Sequence, residues 1–98
     1  MGRLGDQSGG RGLNTFWLLT AKYEGNPLVS VDALRADYFG GMSREVFLRK
    51  LESGEIPLPL TRLGEGQKAP RCVHISDLAK YIDACAEQAR QELSRKVG

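Results

Sequence analysis

Ser43, Arg44, Arg49 and Lys50 fall close together in a chain of 98 residues. Their types suit one chemistry, hydrogen bonding to a polyanion that also presents base edges. Arginine's forked donors match guanine O6 and N7, and a lysine ammonium meets phosphate as a point charge. Arg44 opens the segment and is the first candidate for a direct base contact. Arg49 is the second, Lys50 suits a phosphate clamp, and Ser43 joins Arg44 at the start of the helix, where backbone amides point outward to an anion. Glu45 and Glu52 dilute the charge, and Glu45 is of a type that accepts from a cytosine amino group or rejects wrong sequences. A second basic group follows further along: Arg62, Gln67, Lys68 and Arg71, opposed only by Glu65.

Catalytic patterns are missing from the sequence, and no enzymatic activity is expected. The single histidine, His74, has no nucleophilic Ser or Cys in an elbow motif, and no glycine-rich phosphate loop leads into a helix. Cys72, His74 and Cys85 supply three metal ligands at most, fewer than a zinc site needs. No metal or other cofactor is therefore expected. The two cysteines read as small buried thiols of a reducing cytosol. His74, between Val73 and Ile75, reads as a core or hydrogen-bonding residue, and Phe16 and Trp17 read as core.

The elements that must carry these residues follow from periodicity and punctuation. Phe16, Leu19 and Tyr23 recur at helical spacing, with Asn14 or Thr15 as cap and Gly25 and Pro27 as the stop. Ser30 then caps a helix whose stripe is Val31, Leu34, Tyr38 and Phe39, ending at Gly40-Gly41. Ser43 starts the next helix, with Phe47 and Leu51 inward and Gly54 closing it. Two short helices about a glycine-containing turn form a helix-turn-helix pattern, placing 43–54 as the recognition helix. Pro57 and Pro59 forbid further helix. An extended stretch from Leu58 to Leu63, a polar loop at 64–70 and an alternating strand at 71–75 form a hairpin, the wing, over about 60–75. Ser76 caps a last long helix with Leu78, Ile82, Cys85, Ala89 and Leu93 as its stripe. Its second half outlasts what one small domain can cover, so Ile82, Cys85, Ala89 and Leu93 are candidates for a homodimer interface.

The expected fold is mainly α with a small β-hairpin wing, a winged helix-turn-helix with an N-terminal helix and a long C-terminal one. Residues 1–12, with five glycines, read as a flexible tail, native or left by cloning, and 13–98 as a single domain. A net charge of +2 with 41% hydrophobic and 27% charged residues describes an ordinary soluble domain and permits nucleic-acid binding without requiring it. No apolar run reaches membrane-span length, so a cytoplasmic, nucleoid-associated protein with no membrane contact is expected.

Gly54-Glu55-Ile56-Pro57 and Ser76-Asp77-Leu78 resemble the markers of excisionase and MerR-type winged domains. A closer resemblance spans Asn14 to Ala84. Phe16-Trp17-Leu18-Leu19, Asp37-Tyr38-Phe39-Gly40, Phe47-Leu48-Arg49-Lys50, the Gly54-Glu55-Ile56-Pro57-Leu58-Pro59-Leu60 string, Gln67-Lys68-Ala69 and Val73-His74 resemble the pyocin activator protein family. Gly66 and Cys72 stand where that pattern commonly has serine and glycine. The resemblance implies a transcriptional activator that binds duplex DNA upstream of phage-tail-like bacteriocin or prophage genes, with RNA polymerase as a further partner. The alternatives are an excisionase-like recombination directionality factor and a protein-interaction adaptor using the wing and last helix.

Overall fold

Helix α1 (Arg11–Lys22) leads into strand β1 (Leu28–Ser30), and helices α2 (Val31–Tyr38) and α3 (Arg44–Ser53) follow. Strands β2 (Thr61–Arg62) and β3 (Arg71–His74) then precede the long α4 (Ile75–Val97). The computed structural model describes residues 11–64 and 70–97. Most of the proposed flexible tail and the loop-tip candidates Gln67 and Lys68 lie outside the described residues.

The helices start and stop where local chemistry dictates. Ser30 Oγ accepts from the Ala33 amide at 3.1 Å, and Ser43 Oγ accepts from the Val46 amide at 3.2 Å. Each hydroxyl thus satisfies an amide left without a partner in a first helical turn. At the other end of α3, Gly54 takes φ 84, a left-handed conformation that costs an L side chain strain. The chain then folds back so that the Ile56 amide donates to the Lys50 carbonyl at 3.0 Å. A Cβ at Gly54 would meet nothing within 4 Å, so Gly54→Ala is expected to cost only its backbone strain, about 1–2 kcal/mol. Chemical denaturation of the two proteins checks this; equal midpoints would contradict it.

The sheet is antiparallel in the order β1-β3-β2. Val29 faces Val73 across the first pair, and Thr61 faces Cys72 across the second. Val73 is fully buried because β3 is central, with a strand on either side. The core joins Val29 and Val73 of the sheet to Val31, Leu34, Phe47 and Leu51 of α2 and α3. Leu19 of α1 and Ile75, Leu78 and Ala79 of α4 complete it with Ile56 and Leu58. Phe39, from the α2–α3 turn, stacks on Phe47 with ring centroids 4.7 Å apart. Helix α1 lies along α4, tied by Thr15 Oγ1 donating to Asp83 Oδ1 at 2.6 Å.

Several local expectations are corrected. The first helix begins at Arg11, within the stretch assigned to the tail, so Asn14 and Thr15 lie inside it. Thr15 serves as a bridge to α4 because tertiary contact outweighs its capping tendency. Pro27-Leu28-Val29 does not merely lead into α2: Leu28–Ser30 forms an edge strand, too short to show alternation. The Leu58–Leu63 stretch contributes only Thr61–Arg62 to the sheet, since Pro57 and Pro59 have no amide to donate. Helix α4 begins at Ile75, one residue before the expected cap Ser76. The Ile75 amide is taken by the Pro27 carbonyl at 2.9 Å, and His74 Nδ1 accepts from the Ser76 amide at 3.1 Å. His74, not Ser76, supplies the capping acceptor. Trp17 is 58% exposed rather than in the core, because Phe16, Leu19 and Tyr23 use the inner face and Trp17 turns roughly 100° away from Phe16. Cys72 is half-buried and Cys85 exposed, both as free thiols, so burial holds for neither in full.

Candidate nucleic-acid interface

Helix α3 buries Phe47 and Leu51 and presents the opposite side to solvent. At 3.6 residues per turn the outward line falls on Arg49, with Glu45 and Glu52 beside it. Arg49 is exposed and has no ion-pair or hydrogen-bond partner among the described residues. Arg44 stands at the exposed N-terminal end of α3, beside the capping Ser43, where helix amides favour an anion. The serine oxygen already accepts from Val46, and its O–H is left to donate to a ligand.

The orientation of α3 is fixed from α2. Arg35 Nη1 donates to the Met42 carbonyl at 2.9 Å, clasping the turn over residues 39–43. Arg44 Nε donates to Asp32 Oδ1 at 2.6 Å, joining the first turns of the two helices. That contact uses one edge of the guanidinium and leaves its Nη donors available for a second partner. Sequence reasoning missed both Arg35 and Asp32. Asp32 reads from the sequence only as a first-turn complement to the α2 dipole and Arg35 as a solvated charge; only the fold brings them to the turn.

The other cations divide into committed and uncommitted. Lys50 Nζ lies 2.5 Å from Glu55 Oε2, turned toward the loop after its own helix. Arg71 Nη1 lies 2.5 Å from Glu52 Oε2, linking β3 to α3. Arg62, in the edge strand β2 opposite Arg71, is exposed and has no such partner among the described residues. Arg44, Arg49 and Lys50 share α3, and the Glu52 pair draws Arg71 to that helix, while Arg62 belongs to the hairpin beside it. Such exposed pairs contribute about 0–1 kcal/mol each, so a phosphate can displace the carboxylate at little cost.

Along α4, Ile82 is half-buried, whereas Cys85, Ala89 and Leu93 are exposed, Leu93 at 61%. Ile82 and Cys85 also line an open apolar groove of about 230 Å³ with Tyr38, Phe39, Leu78 and Tyr81. The hydroxyl of Tyr81 is pushed above its ordinary pKa by burial and then by its hydrogen bond to Cys85. No described helix is long and apolar enough to cross a membrane.

Among known families, the chain matches Pyocin activator protein PrtN over residues 15–89. That span takes in most of α1, the three strands, α2, α3 and the first two-thirds of α4. No curated protein and no solved structure matches the chain. The match covers well over half of the chain, so the chain belongs to the Pyocin activator protein PrtN family.

Proposed function

We propose that the protein is a sequence-specific duplex-DNA-binding transcriptional activator of phage-tail-like bacteriocin or prophage genes. In this reading α2, the clasped turn and α3 act as a helix-turn-helix, and the β2–β3 hairpin as its wing. The observation that carries it is the outward face of α3, where Arg49 stands uncommitted on a capped helix with Arg44 at its N-terminal end. A helix so presented fits the major groove, and Arg49 and Arg44 are of the type that reads guanine edges. Lys50, Arg62 and Arg71, with Lys68 at the loop tip, then meet phosphates on either side, while Ser43 and Gln67 add polar contacts. Family membership supports the role of activator, with RNA polymerase as the downstream partner; catalysis has no part in it.

Two copies joined through the Ile82, Cys85, Ala89 and Leu93 seam would present two such helices to repeated or palindromic half-sites. Leu93→Glu places a charge in that seam and is expected to halve the mass measured by light scattering. An unchanged mass for the variant, or a monomeric wild type, would count against this interface. Recovery of bound fragments from genomic DNA, followed by footprinting, tests the function itself. Enrichment of promoter-proximal fragments with spaced major-groove protections is expected. No enrichment, or enrichment only at integrase attachment sites, would overturn the activator role.

A further inference from the structure

Of the five described cations assigned to DNA, three already hold carboxylates: Arg44 with Asp32, Lys50 with Glu55 and Arg71 with Glu52. Glu52 sits in the last turn of α3, the end at which a helix dipole disfavours negative charge. It nevertheless reaches Arg71, nineteen positions away in sequence, at 2.5 Å. Asp32 lies in the first turn of α2, which Ser30 already caps, and it holds Arg44 at 2.6 Å. Arg49, the residue aimed straight outward, has no such partner among the described residues.

From this arrangement, and resting on the DNA reading above, we infer that Asp32 and Glu52 are specificity-determining residues. They are internal carboxylates that compete with the phosphate backbone for Arg44 and Arg71. A phosphate that draws Arg44 or Arg71 away from its carboxylate gives up an ion pair of about 0–1 kcal/mol, so each such contact with an arbitrary duplex is weakened by that amount. A duplex that also offers the correct base edge to Arg49 gains a contact that costs no internal partner. Low affinity for arbitrary DNA and a wide margin for the right site then follow from one device. Arg44 is held in place while it waits, so Asp32 is also a positioning residue for it.

The test compares wild type with the double variant Asp32→Asn/Glu52→Gln on a random-sequence duplex and on a genomic fragment selected by wild type. Glu24→Gln/Glu92→Gln is the charge-matched control, since Glu24 and Glu92 are exposed and pair with no cation among the described residues. Circular dichroism confirms that each variant is folded. The Asp32/Glu52 variant is expected to bind random duplex about tenfold more tightly, with a log–log salt slope steeper by about 2, one phosphate contact for each freed arginine. Its gain on the selected fragment is expected to be smaller, because there Arg44 reads a base edge through its Nη donors while Asp32 holds its Nε, and losing that hold offsets part of the gain; the preference therefore falls. Gains no larger than the control's, or an undiminished preference, overturn the inference while leaving DNA binding intact. A wild type that binds neither duplex overturns the DNA reading, and this inference with it.

Discussion

Arg49→Ala is expected to weaken binding to the selected DNA fragment by roughly 5- to 150-fold, the effect of losing about 1–3 kcal/mol from one bidentate base contact. Binding to random duplex should fall by no more than a few-fold, the loss of a single charge. The asymmetry follows from the geometry. Arg49 is exposed, opposite Phe47 and Leu51, and meets no carboxylate among the described residues. Its stability should match wild type within about 0.5 kcal/mol, as for surface substitutions generally. Competition binding with the two duplexes measures both losses. Equal losses on both would reduce Arg49 to a phosphate contact and return the base-reading role to Arg44. The same substitution at Arg44 is expected to do less, because one edge of its guanidinium is shared with Asp32.

Phe47→Ala is expected to remove about 3–5 kcal/mol of stability. Phe47 is fully buried and stacked on Phe39, so the loss combines burial, a cavity and an aromatic contact. A domain of this size has about 5–15 kcal/mol in all, and thermal melting should fall by at least roughly 12 °C. The cavity would open beneath the outward face of α3, loosening the turn that Arg35 and Phe39 hold. DNA binding should therefore decline well below the melting temperature of wild type. A melting point within a few degrees of wild type would show that the Phe39–Phe47 stack does not hold α3 on the core.

Much of the helical framework was legible from residue patterns, because the signals were local. Ser30 and Ser43 are caps, Gly54 is a stop, and Phe47 and Leu51 mark the inner line of α3; each acts within a turn or two of its own position. The failures share a different cause. Leu28–Ser30 becomes a strand only because Arg71–His74 arrives beside it. His74 takes over from Ser76 because the Pro27 carbonyl claims the preceding amide. Trp17 reads as core until Phe16, Leu19 and Tyr23 are seen to fill the inner face. The candidate site was legible as a set of residues but not as a set of states. Sequence spacing picked out Arg44, Lys50 and Arg71 as readily as Arg49, yet three of these carry carboxylate partners brought from elsewhere in the fold. Asp32 was legible only as a complement to the α2 dipole and Arg35 not at all, since their contacts with Arg44 and Met42 exist only across the α2–α3 turn.

Whether this face of α3 and its hairpin bind duplex DNA is decided by the salt dependence of wild-type binding to a fragment selected from genomic DNA. With Arg44, Lys50, Arg62 and Arg71 as phosphate or base contacts, the log–log slope should lie between about −3 and −5 per protomer. Absence of duplex binding at low salt, or affinity that does not change with salt, would contradict it.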